Sequence, residues 1–317
     1  MSDIPREIAE LAERREAARA ARKFALADEL RDRIARAGFD LTDTQEGTQI
    51  VARANATEPA TYRHSEAVPS LLDGAPAFDA SVQWVVEGWP EDVLRGIESF
   101  RRHSEERSTQ HVVVDLTTGT SWPPEVDLIR LDARAGWAAG RNAGLRRAAG
   151  GIVVIIDGSI EAEGDVLEPL AQTLADAAVG VTGPYGVVTE DLREFHESAG
   201  PEVDAVEGYV IAFRRELLER GLRYDEKFKF YRTADIELSF QVKAQGLQAT
   251  VTPVPVMRHE HRMWASTAED ERARLSKRNF YRFLDRWRGR TDLLVAARRR
   301  GEPGSPGSEP QSRPPPT

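Results

Sequence analysis

Cysteine is absent from the 317-residue chain. Its absence excludes disulfide bonds, zinc–thiolate sites and thiol nucleophiles. Long hydrophobic runs are also missing, since no stretch approaches the roughly 20 consecutive apolar residues that a membrane-spanning helix needs. The charged, Ala-rich N-terminal segment lacks the apolar centre of a signal peptide. We therefore expect a protein without a membrane span or signal peptide, located in the cytoplasm.

The charge of the chain is acidic, with a formal net value of −9 at pH 7. This balance argues against non-specific binding of nucleic acid or anionic membrane by the chain as a whole. Hydrophobic residues make up 40% of the sequence, which is enough for a substantial core. The length accommodates one large domain and one small one.

The first 53 residues predict a small module of their own. Two apolar stripes at helical spacing indicate a helical hairpin over residues 5–37, followed by a hairpin of short strands over 39–52. The stripes consist of Ile8, Leu11, Ala18 and Ala21, and of Leu26, Leu30 and Ile34. Arg and Glu fill the remaining faces in near balance.

This module resembles the C-terminal module of bacterial cysteinyl-tRNA synthetases over residues 6–53. The resemblance rests on the helical hairpin together with the turn Asp43-Thr44-Gln45-Glu46-Gly47-Thr48. In that family the module helps to read the anticodon region, so the resemblance implies tRNA as a partner. The balanced charge favours the alternative that the module packs or dimerises without RNA. The HIGH-type and KMSKS-type motifs of the synthetase catalytic core do not occur in the sequence.

The rest of the chain divides into a linker, a large domain and a tail. Residues 54–77 are rich in Ala, Thr, Pro, Glu and Ser and predict a linker. Residues 78–290 alternate strand-like and helix-like segments, which predicts an α/β, Rossmann-like, mostly parallel sheet with flanking helices. Residues 291–317 predict a disordered tail. Ligands of such sheets bind beyond the carboxyl ends of the strands.

Acids follow two of the predicted strands. The apolar strand 152–156 ends on Asp157, and the strand 111–114 ends on Asp115. A carboxylate in the position of Asp115 can accept hydrogen bonds from a base or a ribose, or it can cap its own loop. Glu87 follows the first strand of the domain and is a further candidate for contact with a ligand.

A helix start rich in small residues lies between the strands that end on these acids. Residues 136–145 read Gly-Trp-Ala-Ala-Gly-Arg-Asn-Ala-Gly-Leu. Small residues let the start of a helix approach a ligand, and its amides together with Arg141 favour a diphosphate. The alternative is that the small residues only allow the helix to pack closely on the sheet.

In order and local sequence, residues 78–290 resemble family 2 glycosyltransferases of the GT-A fold. The segment 136–145, with Arg141 and Asn142, is similar to that family's G-x-a-x-x-r-N-x-G-l motif. Asp157-Gly158-Ser159 stands where the family has D-x-D, and residues 234–238 stand where it has E-D-x-D-l. The resemblance implies a GT-A-like fold and transfer of a sugar from a nucleotide-sugar donor to a hydroxyl acceptor with inversion.

On the donor side, the resemblance assigns roles to several residues. It places Asp115 on the nucleoside and Arg141 and Asn142 at the donor. It implies that Asp157 and the late His259 hold Mn²⁺ or Mg²⁺ and the diphosphate. His261 is the nearest competitor of His259. The loop at Glu87 lacks the family's P-x-Y-N.

On the acceptor side, the resemblance implies that Asp235 is the general base that deprotonates the acceptor hydroxyl. It implies that Gly208 and Glu207 face the acceptor, which is a glycan, lipid or protein. The alternatives are that Asp235 only caps its helix, with Glu237 as the next candidate base, and that residues 207–209 only begin a strand.

Two departures from the family pattern favour a rival interpretation. Ser159 replaces the last acid of D-x-D, and Ala234 replaces the first acid of the E-D motif. A hydroxyl is a poor substitute for a carboxylate as a ligand of Mg²⁺ or Mn²⁺. The rival is a catalytically degenerate, glycosyltransferase-like binding protein whose N-terminal module docks tRNA or a protein partner.

Overall fold

The computed structural model describes residues 6–36, 39–44, 47–52, 61–104 and 107–301. The helices are α1 Arg6–Ala20, α2 Phe24–Arg36, α3 Pro90–His103, α4 Trp137–Arg146, α5 Leu167–Leu174, α6 Glu216–Glu219, α7 Ala234–Lys243, α8 Arg262–Ser266, α9 Glu269–Trp287 and α10 Val295–Gly301. The strands are β1 Phe39–Thr44, β2 Gly47–Ala52, β3 Phe78–Val86, β4 Thr109–Asp115, β5 Asp127–Arg130, β6 Gly150–Ile156, β7 Ile160–Ala162, β8 Val179–Gly183, β9 Gly186–Val188, β10 His196–Ser198, β11 Glu202–Val203, β12 Ala205–Val206, β13 Val210–Arg214, β14 Gln248–Val251 and β15 Val256–Arg258.

A large sheet forms the centre of the domain. Its strand order is β11-β14-β8-β13-β6-β3-β4-β5. The pairs β3–β4, β3–β6, β4–β5 and β14–β8 are parallel, whereas β13 runs antiparallel to both β6 and β8. The predicted mostly parallel sheet with flanking helices is therefore confirmed.

Helices cover both faces of this sheet. Along β6, Val153 and Ile155 belong to a core shared with α4, α7 and α9, whereas Val154 and Ile156 belong to a core shared with α3 and α5. Successive side chains of a strand point to opposite faces, so a strand buried on both sides appears in the sequence as a continuous apolar run. The Ile152–Ile156 segment has that character.

The path of the chain creates a switch point between β3 and β6. From β3 the chain crosses to β4 and β5 on one side, and β6 then pairs with the other side of β3. At such a point the connections leave in opposite directions and open a crevice at the carboxyl ends of the strands. Glu87 and Asp157, which follow β3 and β6, therefore lie at the mouth of this crevice.

The N-terminal residues have the secondary structure that their pattern predicts. Helices α1 and α2 pack together around Leu11, Leu30 and Ile34, and β1 and β2 form an antiparallel hairpin. Leu41 and Ile50 from that hairpin pack against the same cluster. Within the described residues, no helix combines the length and apolar character that crossing a bilayer requires.

The predicted linker is wrong for residues 61–77, which pack on the large domain. Val68 is only 1% exposed, and Tyr62 pairs with Leu131 beside the sheet. The buried guanidinium of Arg215 donates hydrogen bonds to the carbonyls of Leu71, Leu72 and Gly74. Residues 53–60 of the predicted linker lie outside the described residues.

The predicted tail is wrong for residues 291–301. A short 3-10 helix over Thr291–Leu293 leads into α10, and Leu294 and Val295 are buried. The backbone N–H of Val295 donates a hydrogen bond to the buried carboxylate of Asp204, which fixes this segment to the domain. Residues 302–317 lie outside the described residues.

A pair of truncations tests the packing of residues 61–77. A chain that begins at residue 78 loses the buried Val68 and leaves the Arg215 guanidinium without its carbonyl partners. Burial of a Val side chain contributes about 1.5–3 kcal/mol, and an unsatisfied buried donor costs about 1–3 kcal/mol. We expect its melting temperature to fall by about 5–24 °C relative to a chain that begins at residue 61, at about 2–4 °C per kcal/mol. Equal melting temperatures would show that the segment contributes no stability.

Candidate functional site

A narrow cleft lies at the carboxyl ends of β3 and β6. Its lining includes Glu87, Arg141, Asp157, Ser159 and His261. These residues come from the ends of both strands, the first turns of α4 and the segment before α8. The cleft therefore unites parts of the chain that are more than a hundred residues apart in sequence.

Asp157 forms the centre of this cleft. Its Oδ2 lies 3.2 Å from Nε2 of His261, and its Oδ1 accepts hydrogen bonds from the backbone N–H of Ser159 at 2.9 Å and from its hydroxyl. Burial raises the pKa of Asp157, but the hydrogen bonds from His261 and Ser159 outweigh burial and hold the pKa below its ordinary value. The carboxylate is therefore kept ionised.

His261 is the complementary half of this pair. Burial lowers its pKa, but the hydrogen bond to Asp157 more than compensates, so the pKa lies above its ordinary value. The Nδ1 atom of His261 accepts a hydrogen bond from the backbone N–H of Trp264, and the ring stacks on Tyr231 with 4.3 Å between centroids. These contacts fix the orientation of the imidazole.

His259, which the sequence favours as the metal contact, does not meet Asp157. Its Nε2 lies 2.8 Å from Oε2 of Glu161. The strand β15 ends at Arg258, and the chain then turns into α8, which brings His261 rather than His259 to Asp157. The geometry therefore places His261, and not His259, beside Asp157.

Asp157 and His261 are the two candidate ligands for a divalent cation, which a substrate would have to help bind. The two candidate ligand atoms of Asp157 and His261 are 3.2 Å apart, close to the roughly 3 Å between neighbouring ligands of an octahedral ion. In the part of the chain that the structure describes, no group of three or more His, Cys, Asp or Glu side chains could hold a metal. Substrate phosphates and water would have to complete the coordination, as they commonly do for Mg²⁺.

Arg141 brings a buried positive charge to the same cleft. Its guanidinium donates hydrogen bonds to the carbonyls of Gln83 in β3 and Ile156 in β6, while its Nε has no partner among the described residues. Burial lowers the pKa of Arg141, and the negative charges of Asp157 and Glu87 are among the influences that oppose this. Arg141 lines the cleft, and its role as a diphosphate contact stays a prediction.

Glu87 lines the same cleft as Arg141 and His261. Burial raises its pKa to about 7, although Arg141 and His261 act in the opposite direction. Near neutral pH its carboxyl group is therefore divided between the protonated and ionised forms. Such a group can either donate or accept a hydrogen bond to a bound molecule.

Asp115, in contrast, is wholly engaged by the protein. Its carboxylate is 0% exposed and accepts hydrogen bonds from the backbone N–H and hydroxyl of Thr117, the indole of Trp122 and the guanidinium of Arg130. Asp115 and Arg130 are direct partners in the register of β4 and β5. This geometry gives the predicted nucleoside contact no support and assigns the carboxylate to the loop after β4.

Asn142 also has a structural role in this geometry. Its Oδ1 accepts a hydrogen bond from the backbone N–H of Tyr224, and its Nδ2 donates to the carbonyl of Tyr224 and to Glu226. It borders a different cavity from the one that Arg141 borders. Asn142 therefore fixes the turn at residues 224–226, and the geometry does not bring it to the donor cleft.

A second cavity adjoins the cleft on the side of α7. It is bordered by Gly208, Glu207 and Asp235, and it shares Asp157 and His261 with the first cleft. The carboxylate of Asp235 accepts hydrogen bonds from the backbone N–H groups of Gly208 at 2.8 Å and Ile236 at 2.9 Å. Burial raises the pKa of Asp235, and these backbone hydrogen bonds oppose the rise.

The residues around Asp235 leave space for its carboxylate and add charge near it. A Cβ atom on Gly208 would lie 3.3 Å from the Asp235 side chain, so glycine leaves the carboxylate room. Burial, together with the charges of Asp235 and Glu197, raises the pKa of Glu207 to about 6.

Glu237 does not border this cavity. Its carboxylate accepts hydrogen bonds from Arg286 and Gln241 instead. Of the two acids that begin α7, only Asp235 borders the cavity.

Asn279 lines neither cavity but supports the backbone beside the second one, a role that the sequence reasoning did not assign. It is buried in α9, and its amide donates hydrogen bonds to the carbonyls of Phe230 and Arg232. These bonds hold the backbone that precedes Thr233, whose φ of 73° is left-handed and strained for a β-branched residue. An Asn on the buried face of an otherwise Arg-rich and Lys-rich helix was the available signal.

Comparisons with known proteins agree with this architecture. Residues 103–234 match the model of glycosyl transferase family 2, a range that contains Asp157 and Gly208 and stops one residue before Asp235. A search of curated proteins finds no match. These findings support a glycosyltransferase-type domain.

Among solved structures, the chain is similar to GalNAc-T7 with UDP, GalNAc and Mn²⁺, at 16% identity and a TM-score of 0.54, over 68% of this chain and 49% of that one. It is also similar to the mannosyltransferase PcManGT from Pyrobaculum calidifontis in complex with GDP-Man and Mn²⁺, at 22% identity and a TM-score of 0.46, over 69% of this chain and 63% of that one. The chain thus spans about half the length of the first. The likeness to GalNAc-T7 confirms the GT-A-like fold and nothing finer. The resemblance of residues 6–53 to the synthetase module gains no support and stays a prediction.

The raised pKa of Glu87 predicts how binding of a nucleoside diphosphate depends on pH. Above about pH 7 Glu87 is mostly ionised, and its negative charge then opposes an anion in the cleft. We expect the affinity for UDP or GDP to fall between pH 6 and 8.5 more steeply in the natural protein than in Glu87→Gln. Calorimetric titrations measure this difference, and comparison with the variant removes the contribution of the phosphate's own ionisation. Parallel pH profiles would contradict the prediction.

Proposed function

We propose that this chain transfers a sugar from a nucleotide-sugar donor to a hydroxyl group of an acceptor, with inversion at the anomeric carbon. One observation carries the proposal: the half-buried carboxylate of Asp235 borders a cavity that shares Asp157 and His261 with the cleft at the switch point. A candidate base and a candidate diphosphate site therefore adjoin one another. The family match over residues 103–234 supports the same reaction class.

On the donor side, Arg141 and the Asp157–His261 pair would receive the diphosphate. Asp157 and His261 would hold Mn²⁺ or Mg²⁺, which when bound neutralises charge on the leaving nucleoside diphosphate. The solved relative GalNAc-T7 contains UDP and Mn²⁺, which supports a nucleotide-sugar donor and a divalent metal here. Glu87 lies at the same cleft and would adjust the charge that the diphosphate meets.

On the acceptor side, Asp235 would act as general base. The acceptor hydroxyl forms a new bond to the anomeric carbon while the bond from that carbon to the diphosphate oxygen breaks. The hydroxyl proton passes to the carboxylate of Asp235, whose pKa is raised by burial. Gly208 orients the carboxylate through its N–H. A single displacement of this kind inverts the anomeric configuration.

The role of Asp235 is tested by Asp235→Asn. The amide keeps the size of the side chain but cannot accept the proton, and loss of a general base typically lowers the rate by about 10²–10⁴-fold. We expect transfer to fall by that factor while the affinity for the nucleoside diphosphate changes by no more than a few-fold. Glu237→Gln is the matched control, because its carboxylate faces Arg286 and lies outside the cavity. Unchanged turnover in Asp235→Asn would show that Asp235 is not the general base.

The two histidines provide a matched test of the metal assignment. We expect Mn²⁺ to strengthen binding of UDP or GDP in the natural protein, and His261→Ala to remove most of this effect, since loss of a ligand weakens a two-ligand protein site severely. His259→Ala removes a partner of Glu161 instead and should keep the Mn²⁺ effect. Titrations with and without Mn²⁺ measure both, and the reverse order would return the metal role to His259.

A second candidate function is binding of a nucleotide-sugar without transfer. It is favoured by Ser159, which offers no carboxylate and whose hydroxyl is already bonded to Asp157. In this case the N-terminal module would dock tRNA or a protein partner. A protein that binds UDP or GDP but neither transfers nor hydrolyses any donor would support this candidate over the enzyme.

A further inference from the structure

Two arginines border the cavity of Asp235 without a partner of their own. Arg232 and Arg258 both line this cavity. Among the residues that the structure describes, neither guanidinium donates a hydrogen bond or forms an ion pair, although several other arginines of the domain do. Positive charges that face a cavity and lack a protein partner are candidates for binding a ligand.

Aromatic rings support both guanidinium groups. The Cζ of Arg258 lies 4.7 Å from the ring centroid of Tyr209 and 5.4 Å from that of Tyr185, and these two rings pack edge to face. The Cζ of Arg232 lies 5.1 Å from the ring of Trp264. A ring face restrains a guanidinium through cation–π attraction but uses none of its five N–H donors. Each arginine is thus pre-oriented with its donors available.

Neither arginine forms an ion pair with the carboxylates that line this cavity, which are Asp157, Glu197, Glu207 and Asp235. Asp235 already accepts two backbone hydrogen bonds. Glu207 forms no ion pair with either arginine in the described residues, and burial raises its pKa to about 6 even though Arg258 and Arg232 lower it. Glu207 therefore carries only part of a negative charge in mildly acidic solution. The positive charge of the two guanidiniums is not matched by contact within the chain.

We propose that the acceptor is an anionic molecule, whose carboxylate or phosphate group is bound by Arg232 and Arg258 while its hydroxyl faces Asp235. A planar guanidinium binds both kinds of group through paired hydrogen bonds. This inference rests on the proposed function, because the cavity receives an acceptor only if Asp235 is the base. It names the substrate class that the transferase would use: acidic sugars such as uronates or sugar phosphates, rather than neutral ones.

Paired probes test the inference with the full chain saturated with UDP or GDP. Glucuronate and its neutral amide differ in one charge, and glucose 6-phosphate and glucose differ in the phosphate. We expect each anion to bind at least about tenfold more tightly than its neutral partner, since charge-assisted paired hydrogen bonds are the strong ones. A preference for glucuronate over glucose 6-phosphate identifies a carboxylate site, and the reverse preference a phosphate site.

Arginine variants connect these affinities to the cavity. We expect Arg232→Gln and Arg258→Gln each to lose about tenfold or more of the anion affinity and to leave the neutral sugars unchanged. Arg232→Lys and Arg258→Lys, which keep the charge but lose the paired geometry, should be intermediate. Arg278→Gln is the control, because Arg278 is exposed on α9 and borders none of the cavities described. Unaltered melting temperatures verify that the variants are folded.

Three results would overturn the inference. These are equal binding of anionic and neutral probes, no binding of any probe, and loss of UDP or GDP affinity in the variants without loss of anion affinity. The last result would assign the arginines to the donor diphosphate. If no nucleoside diphosphate binds but anions bind without it and depend on Arg232 and Arg258, the anion site stands and the transferase proposal fails.

Discussion

The hydrogen bond between Asp157 and His261 is the interaction on which the two cavities depend. It ties the end of β6 to the segment that leads into α8, and both residues line both cavities. Each group alone would lose much of its charge on burial, because desolvation raises the pKa of a carboxyl group and lowers that of an imidazole. The hydrogen bond between them opposes both effects, because it lowers the pKa of Asp157 and raises that of His261.

This pairing has a consequence for metal binding. A divalent ion can bind His261 only in its neutral form, so metal binding must displace the proton that Asp157 stabilises on the imidazole. The cation therefore competes with a proton for the same pair of atoms. Because the described residues offer no third acidic or imidazole ligand at this point, the diphosphate has to supply much of the coordination. Metal and nucleotide binding are thus expected to be strongly coupled.

The sequence predicted the features that depend on local pattern. The apolar strand before Asp157 and the small residues before Arg141 define a strand end and a helix start, and the fold brings both to one cleft. The same reasoning did not reveal that His261 rather than His259 meets Asp157, because the two histidines differ only in the path of a turn after β15. It also assigned Asp115 to a nucleoside, because the register that places Arg130 beside it belongs to the assembled sheet.

Composition misled the assignment of residues 61–77 and 291–301 for a related reason. An average over a segment rich in Pro, Ser, Arg or Gly hides the few apolar side chains that anchor it. Val68 is buried beside the sheet, and Leu293, Leu294 and Val295 are buried before and at the start of α10. A few such residues, with a backbone hydrogen bond or a buried guanidinium near them, are enough to order a short segment.

Hydrogen-bond satisfaction separates the structural candidates from the functional ones. Asp115 and Asn142 have protein partners for their polar atoms, as residues that stabilise a fold generally do. Around Asp235 the opposite holds: Thr233 is strained, the pKa of the carboxyl group is raised, and Arg232 and Arg258 have no described partner. The strained backbone of Thr233 and the raised pKa of Asp235 oppose stability, and proteins retain such features chiefly where function needs them. Their concentration at one cavity is therefore the strongest structural argument that an acceptor binds there.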